Sequence, residues 1–234
     1  RVESLEDERS YLLESNTNVP PDLSRLRKSL AKYLDRDVAE VPFIAEIIQV
    51  VPDESKWSGA MERLLRSVAL TMVLPKKLIQ KAELFLEENH LSDRISLVTP
   101  TPPTNVPKLN LDSAIAKLSY RSDLEKGRLK WLKSFLAQRF PHICYKHRSD
   151  EYDQSQNALT LDGIVKTHGN TLEKDDTFFL EDTAHWVLGW DVNPKQKTLD
   201  DSLAKWREEV VRCGRSIREA EVERQSLRAK LRSG

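Results

Sequence analysis

Glycine is scarce in this chain, seven in 234 residues, and none opens the glycine-rich loop, followed by Lys and Ser/Thr, whose backbone amides cradle a phosphate. Nucleotide hydrolysis by this stretch is therefore excluded. Net charge is missing too: 37 Lys and Arg balance 37 Asp and Glu, so no global field draws the molecule to nucleic acid or membrane, and any such contact must come from a local patch. No apolar run approaches the roughly 20 residues that span a bilayer, and no secretory signal opens the chain. Cysteine is limited to Cys144 and Cys213, which read as small buried apolar residues of a reducing compartment, one on a strand and one on a helical seam. His90, His142, His147, His168 and His185 lack metal-ligand spacing, and His142 and His147 fall on opposite faces of an expected strand. There is no Gly-x-Ser-x-Gly elbow and no catalytic signature around either cysteine. Asp175-Asp176 and Glu181-Asp182 read as exposed loop acids. The chain is accordingly read as non-enzymatic, with no catalytic, cofactor-binding or metal-ligating residue.

What the chain does have is charge, 32% of its residues, and heptad spacing that accounts for it. Leu199, Leu203, Trp206, Val210, Cys213, Ile217, Ala220, Arg224, Leu227 and Leu231 repeat at 4-3 intervals, apolar except at Arg224. The pattern is still running at the last residues, so it reads as one arm of a longer coiled coil. The first residue is Arg1 rather than Met, which reads the same way. Val2, Leu5 and Leu12 sit near heptad spacing at the other end, and Leu23, Leu26, Leu30 and Leu34 follow a break at Val19-Pro20-Pro21. The C-terminal arm is expected to pair antiparallel with the helix around Leu23 to Leu34.

Along the chain, spacing predicts helices over 1–15 and 22–37, a strand over 43–51, a helix over 53–67, a strand over 68–74, a helix over 76–89 and a strand over 94–98. Pro100, Pro102, Pro103 and Pro107 make a stiff connector. A short helix over 111–118 and a longer one over 123–139 come next, then a strand over 142–147. Residues 158–168 form a hairpin, since Asp162-Gly163 offers the positive φ angles of a two-residue turn. Short strands are expected over 178–181 and 185–190, and Pro194 opens the final helix. Trp57, Trp131, Trp186, Trp190 and Trp206 read as packing anchors rather than base-stacking platforms. The fold class is α/β: a two-lobed body flanked by antiparallel coiled-coil arms, divided into an N-terminal arm (1–41), lobe one (42–99), the proline-rich connector (100–110), lobe two (111–194) and a C-terminal arm (195–234).

Exposed strand edges favour pairing between chains. Ile95, Ser96, Leu97 and Val98 in lobe one, and Gly163, Ile164, Val165, Lys166, Thr167, His168 and Gly169 in lobe two, are the candidate dimer contacts. Lys146, Arg148, Lys166 and Lys174, with His147 and His168 beside them, would gather into a phosphate-contacting rim if the strands around 145 and 166 lay side by side. Asp150, Glu151, Asp153, Asp175 and Asp176 balance them, as on an ordinary solvated loop edge.

The segment Ala158-Leu159-Thr160-Leu161-Asp162-Gly163-Ile164-Val165-Lys166-Thr167-His168-Gly169 resembles the T-L-D-G segment in the second lobe of SMC hinge domains. Trp57-Ser58-Gly59-Ala60-Met61-Glu62-Arg63-Leu64-Leu65 with Leu70 to Leu74 resembles the first lobe, and Asp93-Arg94-Ile95-Ser96-Leu97 stands where hinges have G-R-x-T-F. Val41-Pro42-Phe43-Ile44-Ala45-Glu46-Ile47-Ile48-Gln49-Val50, Glu88-Asn89-His90-Leu91, Glu173-Lys174-Asp175-Asp176 and Val187-Leu188-Gly189-Trp190 together resemble the JetC/MksB-like, MukB-related SMC proteins of Wadjet anti-plasmid systems. Ala45 stands where a Gly is usual, and Asn170 where a second Gly is usual.

The resemblance implies a two-lobed SMC-type hinge that joins two copies of the chain. It further implies ATPase heads, with their ATP and magnesium, at the far end of the arms; a kleisin, an accessory subunit and a nuclease subunit as partners; weak, non-specific DNA contact; and a role in extruding DNA and restricting small circular plasmids. The setting it implies is the bacterial cytoplasm, at nucleoid or plasmid, with no membrane partner. The alternative reading is a coiled-coil adaptor whose α/β insert binds a protein partner.

Overall fold

The computed structural model describes residues 2–90, 94–102 and 110–232; Asp93 and most of the proline-rich connector lie outside them. The elements are α1 (Val2–Ser15), α2 (Pro21–Leu34), β1 (Ile48–Val50), α3 (Ser58–Ala69), β2 (Thr71–Val73), α4 (Ile79–Glu88), β3 (Ser96–Val98), β4 (Leu118–Tyr120), α5 (Lys126–Arg139), β5 (Ile143–Tyr145), α6 (Asp150–Gln154), β6 (Ala158–Thr160), β7 (Val165–Thr167), β8 (Thr171–Glu173) and α7 (Asn193–Arg232). The mixed α/β body with antiparallel arms is thus present as expected.

Local chemistry explains where the elements stop. Pro21 opens α2, where a missing N–H costs nothing, and Asp35 closes it in the left-handed region at φ 57°. The expected strand over 43–51 is shorter, because Ile44–Glu46 is a 3-10 turn and only Ile48–Val50 is extended. The reason is Glu46: its carboxylate accepts the Phe43 N–H at 3.0 Å and is held in place by Arg27 and by the Thr17 hydroxyl at 2.8 Å. Val68 and Ala69 belong to the last turn of α3 rather than to a strand. The expected helix over 111–118 is instead a 3-10 turn, Ala114–Lys117, leading into β4. There the Ser113 hydroxyl caps the Ala116 N–H, and Leu118 is taken up by the ladder to Val50. Residues 178–181 and 185–190 are not strands; their backbone groups go to side chains and to the 3-10 turn Thr183–His185.

Three small sheets result. β1 pairs antiparallel with β4, β2 parallel with β3, and β5 to β8 form a four-stranded sheet in that order, parallel at its first pair and antiparallel after it. The β1–β4 pair crosses between the two halves of the sequence, and an ion pair of Lys117 with Glu54 at 2.8 Å reinforces it. A single core runs through both halves, with Phe43, Ile44, Met61, Leu65, Met72, Ile115, Leu132 and Leu136 among its fully buried side chains. Trp57 and Trp131 are buried in it, as their helical positions imply.

The hairpin at Asp162-Gly163 forms, but its loop has three residues. Thr160 and Ile164 still pair, through the Thr160 N–H to the Ile164 carbonyl, and only Gly163 has positive φ, at 73°. That is a type I turn followed by a left-handed residue rather than a mirror-image two-residue turn.

The arm pairing differs from the expectation. α7 runs antiparallel to α1, not to α2: Arg9 pairs with Asp200, Glu6 with Arg207 and Glu8 with Lys195, around buried Leu12, Leu199 and Leu203. The leucine face of α2, with Leu23, Leu30, Ala31 and Leu34, is spent on the body instead. Farther along α7, Val210, Val211, Ile217, Val222, Leu227 and Leu231 are exposed, and so is Cys213, which is therefore not a buried seam residue in one chain.

Candidate self-association surface

The last strand, β8, is one that the sequence pattern does not reveal. β8 pairs with β7 on one side, and all three of its residues are exposed, Leu172 to 64%. β7 is consequently interior, flanked by β6 and β8, so Val165, Lys166 and Thr167 do not offer a free edge. The free edge lies at Thr171, Leu172 and Glu173. It was hidden because a turn built on His168 and Gly169, at φ 52° and 76°, starts a strand with one apolar residue and no alternation to reveal it. Gly163, Ile164, His168 and Gly169 sit in the loops at either end of β7. In lobe one, Ser96, Leu97 and Val98 form β3, which pairs on one side with β2; Ile95 precedes it, and all four are half-buried.

The loop after β8 is stapled down from α3. The Arg63 guanidinium donates to the Asp176 carboxylate at 3.1 Å and to the Phe178 carbonyl at 3.0 Å. Lys174 pairs with the same Asp176 at 2.8 Å, and these cations hold its carboxyl below the usual range, the Lys174 hydrogen bond foremost. Asp175 is likewise held low, by hydrogen bonds from the hydroxyl and N–H of Thr177. The Phe178 ring stacks on His185 with centroids 3.5 Å apart, while Phe179 projects outward, 85% exposed. A groove of about 490 Å³ runs beneath, lined by Gly59, Arg63, Arg66, Leu180 and Trp186. The β8 edge thus carries an exposed leucine, and the loop that follows it an exposed phenylalanine, the chemistry of a protein-binding surface.

The basic rim does not assemble. β6 lies between β5 and β7, so the strands around 145 and 166 are not neighbours. Lys166 is buried; its ammonium donates to the carbonyls of Asp153 at 2.8 Å and Tyr152 at 3.2 Å, and lies over the Tyr152 ring. It is not available to a phosphate. Arg148 is paired with Asp153 at 2.9 Å and Lys174 with Asp176, leaving exposed Lys146 as the remaining member of the set.

Partial burial of Cys144 pushes its thiol up to about 12, which disfavours the thiolate. Among the described residues, no group of three or more His, Cys, Asp or Glu could hold a metal ion, and no helix is long and apolar enough to cross a membrane.

No protein-family model matches the chain, and no curated protein does. Several solved structures are similar to it. The Smc hinge domain of Pyrococcus furiosus with an extended coiled coil is 19% identical at a TM-score of 0.47, over 98% of this chain and 84% of that one. The asymmetric dimer of the Geobacillus stearothermophilus SMC hinge domain is 14% identical at 0.47, over 92% of each chain. The folded elbow of cohesin is 13% identical at 0.55, over 96% of this chain and 34% of that one. At this identity the last likeness establishes a shared fold.

Proposed function

We propose that the chain is a homodimerisation hinge of an SMC-like protein, and more narrowly of the kind that restricts plasmid DNA. One observation carries this reading. The two ends of the chain pair antiparallel as α1 and α7, while the α/β body between them has strand edges at β3 and β8 on different halves. A body built that way returns the chain along its own arm and has edges through which a second copy can be paired. The motif resemblance to Wadjet-type SMC proteins, and the likeness to solved hinge domains, point the same way. In this reading the chain supplies dimerisation, while ATP hydrolysis, the kleisin, the accessory subunit and plasmid cleavage reside in other parts of the complex. Direct DNA contact by the hinge has little to rest on once Lys166 is internal.

Light scattering across the micromolar range tests it. The chain is expected to run as a dimer, and Leu172→Asp, which places a charge on the β8 edge, to shift it toward monomer without loss of secondary structure. A wild-type chain that stays monomeric throughout would sink the proposal. The adaptor alternative predicts that removing residues 208–232 alters the association, whereas a hinge dimer keeps it.

A further inference from the structure

Residues 183–195 run from the body into the first turn of α7, and several of their polar groups are held by other elements. From α3, the Glu62 carboxylate accepts the N–H groups of Val187 at 3.0 Å and Leu188 at 2.8 Å, and Arg66 donates to the His185 carbonyl at 2.7 Å. From the α1–α2 loop, the buried Asn18 amide donates to the carbonyls of Gly189 at 3.2 Å and Asp191 at 3.0 Å. Gly189 itself, at φ 96°, donates its N–H to the Ala45 carbonyl at 2.9 Å. Lys195, at the root of α7, reaches the Asn18 carbonyl and Glu8 of α1. The foot of the arm, before α7 meets α1, is thus held to the body by side chains of α3 and the α1–α2 loop and by one backbone hydrogen bond.

Glu62 is the unusual member. It is only 6% exposed, yet neither neighbouring cation forms an ion pair with it: Arg66 is engaged by a carbonyl and Lys195 by Glu8 and Asn18. With no counter-cation paired to it, this buried carboxylate meets a desolvation cost on ionisation that its two backbone hydrogen bonds offset only in part. We propose that residues 183–195 are a latch, that Glu62 and Asn18 hold it shut and so set the angle of the C-terminal arm, and that ionisation of Glu62 slackens it.

The surroundings agree. Burial, opposed by the two backbone hydrogen bonds, pushes Glu62 up to about 7, and the groups around it are Arg66 of α3, Lys195 of α7, Glu8 of α1, Asp182 just before the latch, and His185 and Asp191 within it. A proton held more tightly when Glu62 is buried favours the closed latch, so opening is favoured as pH rises through that value. A cavity of about 290 Å³ beside Glu62, Asn18 and Lys195 leaves room for the segment to shift. The latch lies within one chain, so it stands or falls independently of dimerisation.

The molecule supplies its own reporter site in exposed Cys213 on the arm, with half-buried Cys144 replaced by Ser so that labelling is specific. Spin labels at Cys213 and at Lys146→Cys, in chains diluted with unlabelled protein, report the intrachain arm-to-body distance; hydrogen exchange reports protection of the Val187 and Leu188 amides. In the wild type, going from pH about 6 to about 8.5 is expected to broaden the distance distribution and lower protection roughly tenfold or more at those two amides. Glu62→Gln, which removes the charge and keeps only one of the two acceptor oxygens, is expected to abolish that pH response and to lower protection of one of the two amides at both pH values, and Asn18→Ala to broaden the distribution at both pH values. A wild-type distribution that ignores pH, or protection lost equally in β2 and the latch, would overturn the proposal. Should Glu62→Gln fail to fold, the wild-type pH series and Asn18→Ala decide the matter by themselves.

Discussion

His142 and Glu62 are both buried and titratable, and burial moves them in opposite directions along the pH axis. Burial, with the His168 ring adding to it, pulls His142 down to about 4 from 6.5, leaving the imidazole neutral beside the Thr167 hydroxyl. Its stability contribution is fully present above 6.5 and is lost as pH falls through about 4. Urea unfolding midpoints should therefore drop across that window, and His142→Gln should flatten the slope. Glu62, raised from 4.5 to about 7, contributes fully below 4.5 and loses that contribution as pH climbs through about 7. Glu62→Gln should remove the decline on the neutral side and leave the acid limb alone. The two cysteines differ just as sharply. A maleimide at neutral pH should modify exposed Cys213 in the folded chain, and Cys144 only after denaturation; rapid double labelling would contradict the burial of Cys144.

Among the elements, α3 packs against the loop after β8, and its glycine shows how closely. A Cβ on Gly59 would lie 2.3 Å from the Leu180 carbonyl oxygen, which is backbone and cannot swing aside. Gly59→Ala should cost about 1–3 kcal/mol, the usual range for overpacking, measurable as a lowered melting temperature. At Gly163 the positive φ and Arg63 at 2.7 Å combine, and Gly163→Ala should cost about 1–2 kcal/mol. The T-L-D-G hairpin was legible in the sequence because one glycine between two β-branched runs leaves few solutions, although the loop length was not. β8 was not legible: Asn170-Thr171-Leu172-Glu173 has no alternation, and it becomes a strand only because β7 offers a ladder. The pairing of α7 was misassigned for a related reason. The leucine faces of α1 and α2 both suit a coiled coil, and periodicity records that a face is apolar without recording what covers it. Among the candidate interface residues, β3 stands at an edge as read, whereas Lys166 failed because a lysine in a strand looks the same from sequence whether it faces solvent or two carbonyls.

For the molecule as a whole, the arm pair ties the two halves at one end and the β1–β4 ladder ties them in the middle. Each tie takes one partner from either side of the proline-rich stretch: α1 and β1 precede it, β4 and α7 follow it. The ladder is fixed by Ile48 to Val50 against Leu118 to Tyr120, extended by the Val51 N–H to the Lys117 carbonyl and the Arg121 N–H to the Ile47 carbonyl, and surrounded by one apolar core. Covalent continuity between the halves is then largely redundant once the fold has formed. Two polypeptides, 1–102 and 110–234, expressed together should find each other and co-purify as one particle, so that the molecule doubles as a split reporter whose halves reunite without a linker.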